Sequence, residues 1–80
     1  MAKRRVMFTF PSELITQPVI YNLGHKFNII TNIRRADVTE DRGWVILELD
    51  ASDEALEAGL QWVRDLGVQV NAMEGDVLAG

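Results

Sequence analysis

Cysteine is absent from the chain and histidine occurs once, at His25. Disulfides are thereby excluded, and neither a zinc site nor an iron–sulfur cluster can be built from the usual protein ligands. Glycine is scattered singly, at Gly43, Gly59 and Gly67 among others, and no G-x-x-x-x-G-K run exists to cradle a nucleotide phosphate. Ser12 and Ser52 stand in no G-x-S-x-G turn and lack a base other than the single histidine. The carboxylates fall in a helix first turn (Asp53, Glu54) or a hairpin (Asp37, Glu40, Asp41), positions suited to capping or solvation. No catalytic constellation and no cofactor is therefore expected, and the chain reads as a binding protein rather than an enzyme.

Long apolar runs are missing too. Lys3, Arg4 and Arg5 precede VMFTF, which is too short for a signal-peptide core and is followed at once by Pro11 and Glu13. Nothing approaches the roughly 20 apolar residues that span a bilayer. No membrane insertion is expected, and the cytoplasm is the expected location.

What is present is 80 residues, 48% of them hydrophobic, with a net charge of −4. Such a chain closes one core, buries only about 60–65% of its unfolded surface, and has little stability in reserve. With disulfides and metals excluded, self-association is the remaining common source of added stability.

The apolar residues alternate at Val6, Phe8 and Phe10, which marks a strand ended by Pro11. PSELITQ reads as a loop with Leu14 and Ile15 tucked under a sheet, and a helix is expected from near Gln17, with Pro18 in its first turn. Val19, Ile20, Leu23 and Phe27 form its buried stripe, with Gly24 weakening its end. From Asn28 the period returns to two, with Ile29, Thr31 and Ile33 inward and Ile30, Asn32 and Arg34 outward. DVTEDRG reads as a hairpin loop in which Gly43 takes a positive φ, and WVILELD as a strand with Val45, Leu47 and Leu49 inward. Ser52 is placed to cap a second helix. Its expected stripe is Ala55, Leu56, Gly59, Leu60, Val63 and Leu66, and Gly67 closes it; Gly59 suits a close helix neighbour. Val68, Val70 and Ala72 are the inward positions of a last strand, and residues 74–80 are expected to be a loose tail after an ordered core of about 4–73.

The order β-α-β-β-α-β implies a single α+β domain of ferredoxin-like form: a four-stranded antiparallel sheet with two helices on one face. Right-handed crossovers give the strand order 4-1-3-2, which leaves the second strand at an edge where another chain can pair. The uncovered face would carry Met7, Ile30, Trp44, Ile46 and Met73 as an apolar patch, the mark of an interface. RNA-recognition modules share this topology, but a face with Trp44 as its one aromatic residue and an acidic net charge weigh against nucleic acid.

FNIITNIRRADV, followed by GWVILELD and by a helix closing as LQWVRDLGV, is similar in order and spacing to the NIL domain. That family is named for an Asn-Ile-Leu run and occurs as the C-terminal regulatory domain of methionine-import ABC ATPases and fused to small ferredoxins. The resemblance covers Val6 to Val70 and maps the motif onto Asn32, Ile33 and Arg34, the third position departing from Leu. It implies domains that associate in pairs and bind methionine near the motif asparagine. Without an ATPase before it or a cysteine-rich ferredoxin after it, the chain is expected to be a stand-alone form. Taken by itself, without the resemblance, Asn32 reads first as an edge-strand residue that satisfies a neighbouring backbone group. Two functions are thus expected to compete. One is a homodimeric sensor for an amino-acid-like ligand, methionine among the candidates, with Asn32, Ile33 and Arg34 at the ligand. The other is a ligand-free domain that docks on a redox or transport protein partner.

Overall fold

The computed structural model describes residues 1–73. The expected tail, 74–80, lies outside the described residues. The elements run β1 (Ala2–Phe10), a single 3₁₀ turn (Ser12–Leu14), α1 (Val19–Phe27), β2 (Ile30–Val38), β3 (Gly43–Ala51), α2 (Asp53–Leu66) and β4 (Gln69–Ala72). All strand pairs are antiparallel, and the sheet order is β2-β3-β1-β4, the order deduced from right-handed crossovers.

The two central strands carry the core. Val6, Phe8 and Phe10 on β1 and Val45, Leu47 and Leu49 on β3 are buried, as their alternation predicted, and Phe8, Leu47 and Leu49 are fully so. The helices lay Val19 and Leu23 of α1 and Leu56, Leu60 and Val63 of α2 on that face. Ala55, Ile20 and Phe27 are partly buried at its margin. Leu66, expected in the α2 stripe, is instead 41% exposed, the last residue of α2, at the rim of an open pocket with Leu14 and Trp62. Ala72 is also exposed, as the last residue of β4, a four-residue strand at the sheet edge.

The helix ends follow local chemistry. Pro18 is the N-cap of α1 rather than a residue within its first turn. At the other end Asn28 takes the left-handed conformation (φ 56°), and the N–H of Ile29 donates to the Gly24 carbonyl at 3.0 Å. Asparagine tolerates that conformation better than most side chains, so the chain turns there and the strand starts at Ile30, later than the two-residue period suggested. Ser52 caps α2 by accepting from the Ala55 N–H at 3.1 Å, and Gly67 closes it at φ 107°. Ser52→Ala is expected to cost about 1 kcal/mol, read as a lower urea midpoint with an unchanged slope.

Gly43 does not take a positive φ, contrary to expectation. It is a buried residue of β3 on which Val38 lies, and a Cβ there would meet the Val38 methyls at 3.2 and 3.3 Å. The loop is correspondingly shorter than DVTEDRG: Asp37 and Val38 belong to β2, and Thr39 closes the turn on Arg42 through both its backbone N–H (2.8 Å) and its hydroxyl.

Candidate functional site

The register of the sheet locates every sequence-predicted site residue. On the face away from the helices, Asn32 of β2 lies directly opposite Glu48 of β3, and Glu48 opposite Arg5 of β1. Arg5 Nη2 donates to Glu48 Oε2 at 3.5 Å, so Asn32 ends a polar row that crosses the sheet. The next row is Arg35, Ile46, Met7 and Asn71, and the one beyond it Asp37, Trp44, Thr9 and Gln69. Met7, Ile46 and Trp44 are therefore contiguous and half-buried by their neighbours. Ile30, 62% exposed and opposite Asp50, lies on the far side of the Arg5–Glu48–Asn32 row. Met73 lies at the β4 side, its N–H bonded to the Arg5 carbonyl at 3.0 Å. The five apolar residues expected to form one patch are thus divided by a charged row, with three of them together.

Arg34 departs further from its expected place. A bulge between Ile33 and Arg35 leaves Arg34 without an opposite residue on β3 and puts Arg35 opposite Ile46. Strict alternation would have turned Arg35 and Asp37 toward the helices and Ala36 and Val38 toward solvent. The extra residue reverses this, so the inward positions become Ile33, Ala36 and Val38 and the charges stay outside. Arg35 then lies over the Trp44 ring at 6.0 Å, a cation–π geometry. Alternation hid that contact; the only signal for it was the adjacent arginine pair, which no regular strand with one buried face accommodates comfortably.

Asn32 is exposed, and its amide makes no hydrogen bond to another described residue. It is therefore not tied to a neighbouring backbone group, and keeps donor and acceptor available. Ile33 points to the helix side yet is 55% exposed, since α1 reaches only the start of β2, near Ile29 and Thr31. The motif asparagine and isoleucine thus stand on opposite faces of an edge strand, with Arg34 bulged beside them.

Two open apolar pockets lie on the helix side. One, of ≈ 260 Å³, is framed by Phe10, Val19, Tyr21, Val38 and Val45; the other, of ≈ 190 Å³, lies between Leu14, Val19, Trp62 and Leu66. Neither contains Asn32, Ile33 or Arg34. Trp62 packs on Phe27 at 5.8 Å under Lys26, and His25 stacks on Tyr21 at 5.7 Å, a helix-surface role. Among the described residues no group of three or more His, Asp or Glu converges as a metal site, and no helix is long and apolar enough to cross a membrane.

Comparison with known proteins agrees with this architecture. The crystal structure of the C-terminal domain of an ABC transporter ATP-binding protein from Enterococcus faecalis superposes with a TM-score of 0.76 at 16% identity. The match covers 88% of this chain and 82% of that one, and at such identity the likeness is one of fold. No curated protein matches by sequence. The family model of the NIL domain matches residues 4–72, so nearly the whole described chain is accounted for, and the chain belongs to the NIL domain family.

Proposed function

We propose that this NIL domain is a cytoplasmic regulatory module, without catalytic activity or cofactor, that binds an amino acid where two copies associate. Methionine is the first ligand to consider, because the family resemblance implies it and because ABC-transporter ATPases carry a domain of this fold. The observation that carries the reading is Asn32: an exposed side chain with neither hydrogen-bonding function taken up by another described residue, next to a bulged Arg34 and opposite Glu48. An amino acid's carboxylate is matched by the Arg34 guanidinium and the Asn32 amide N–H, and its ammonium by Glu48 and the Asn32 carbonyl. Exposed Ile30 on the same face supplies apolar surface for the ligand's side chain.

The test is calorimetric titration with L-methionine and other amino acids. Asn32→Ala is expected to weaken binding at least tenfold with the circular dichroism unchanged, in keeping with the loss of one or two hydrogen bonds to a charged ligand. Equal affinity in wild type and variant would overturn the assignment of Asn32.

A second reading, a ligand-free domain that docks on a protein, is favoured by the contiguous Met7, Ile46 and Trp44 on the open face. It requires no amino-acid binding by the wild type and loss of partner capture on Trp44→Glu or Ile46→Asp.

A further inference from the structure

We infer that the second copy joins at the β2 edge, by antiparallel pairing of the two β2 strands about Ala36, with Arg35 of each copy opposite Asp37 of the other. This rests on the pairing of copies proposed above and specifies its geometry.

The exposed apolar surface is concentrated at this edge. Ile30, Ile33 and Val38 on β2 are each more than half exposed, and Tyr21, 68% exposed, faces Val38 across the larger pocket. β2 is nine residues long and pairs only with β3, so its outer row of amide and carbonyl groups has no strand partner among the described residues. Soluble proteins usually blunt such an edge with proline, lysine or a covering loop, because it templates association. Within β2 there is neither proline nor lysine, and the strand's bulge at Arg34 and its charges at Arg35 and Asp37 are features that the pairing below accommodates.

The charges on the strand select the partner. Arg35 and Asp37 both lie on the open face, opposite Ile46 and Trp44, and Ala36 between them faces the helix side. In antiparallel pairing about Ala36, the two positions flanking the axis exchange, so each arginine meets an aspartate, twice by symmetry. An unrelated strand would leave these charges unmatched, whereas a second copy of this chain matches both. The small Ala36 side chains allow the strands to meet at the axis, and the bulge at Arg34 lies outside the central three pairs. On the helix side Val38 of each copy comes beside Ile33 of the other, covering the rim of the pocket that Val38 and Tyr21 now leave open. Ile33 of each copy then lies at the rim of the other's pocket, while Asn32 stays on the open face, on the same side of the joined sheet as the Arg35–Asp37 pairs.

A charge exchange tests this. Arg35→Asp and Asp37→Arg should each weaken dimerisation at least tenfold in sedimentation equilibrium, since each replaces two attractive pairs by two repulsive ones. An equimolar mixture of the two variants restores both attractions in a heterodimer and should return to within a few fold of the wild-type dissociation constant. That recovery excludes misfolding and loss of the Arg35–Trp44 contact as causes. Wild-type-like dimers in both variants, or a mixture that does not recover, would overturn the β2 edge and leave the pairing itself standing. A wild type monomeric throughout would overturn both.

Discussion

Phe8→Ala is expected to remove most of the stability of the domain, lowering the urea midpoint by roughly 2–4 M. Phe8 is fully buried at the centre of β1, paired with Val45 on one side and Val70 on the other, with its ring edge-on to Phe10 at 6.2 Å. Truncating a buried phenylalanine costs about 3–5 kcal/mol, part from lost transfer energy and part from the cavity left behind. At about 0.05–0.15 kcal/mol per residue, a chain of this length has only about 4–12 kcal/mol in total. For a small domain each molar of urea removes about 1 kcal/mol or somewhat more, which sets the size of the shift. A midpoint lowered by less than about 1 M would mean that the sheet and helices close around Phe8 far less tightly than its burial indicates.

A comparable loss is expected from Gly59→Leu, at the crossing of the two helices. A Cβ at Gly59 would stand 2.7 Å from Ile29 Cδ1 and 2.8 Å from Leu23 Cδ1, and both of those side chains are buried. The glycine exists to let α2 settle against them. Leucine gains about 1 kcal/mol of helix propensity over glycine, but overpacking by several atoms costs more than the 1–3 kcal/mol typical of one added methylene group. A net loss of about 2 kcal/mol or more is expected. Ala58→Leu, one residue earlier on the exposed side, provides the control and should be nearly neutral. If both leucines were equally tolerated, α2 would not be held at this distance from α1.

These two sites differ in how they were legible. Phe8 announces itself, because alternation of Val6, Phe8 and Phe10 places it inward whatever the partners are. Gly59 was legible only in part: a small residue within an apolar stripe suggests a close neighbour, but the sequence does not say that the neighbours are Leu23 and Ile29. The same division separates Ser52 and Gly67, whose capping roles depend on a few adjacent backbone groups, from Gly43. Its role is set by Val38 across the hairpin and not by a turn.

At the candidate site the division is sharper. Asn32 was placed on the open face by counting from Ile29, and the count holds up to Ile33. It fails at Arg34, since a bulge adds a residue to one strand without any change in that strand's own composition that periodicity detects. Consequently Arg35 stands opposite Ile46 and lies over Trp44, and Arg34 has no opposite residue on β3. The expected apolar patch was divided for a similar reason: parity assigns residues to a face, but only register between strands decides which of them touch.

The chain by itself determined the element order, the ferredoxin-like topology, the buried stripes of the central strands and the caps of α2. Those depend on local periods and on contacts a few residues apart. Tertiary structure alone decided the bulge at Arg34, the row of Arg5, Glu48 and Asn32, and the exposure of Ile33 and Val38 on an edge that the helices do not reach. Each of these depends on which residue of another strand or helix stands opposite, a relation between distant parts of the chain that packing, not local preference, selects.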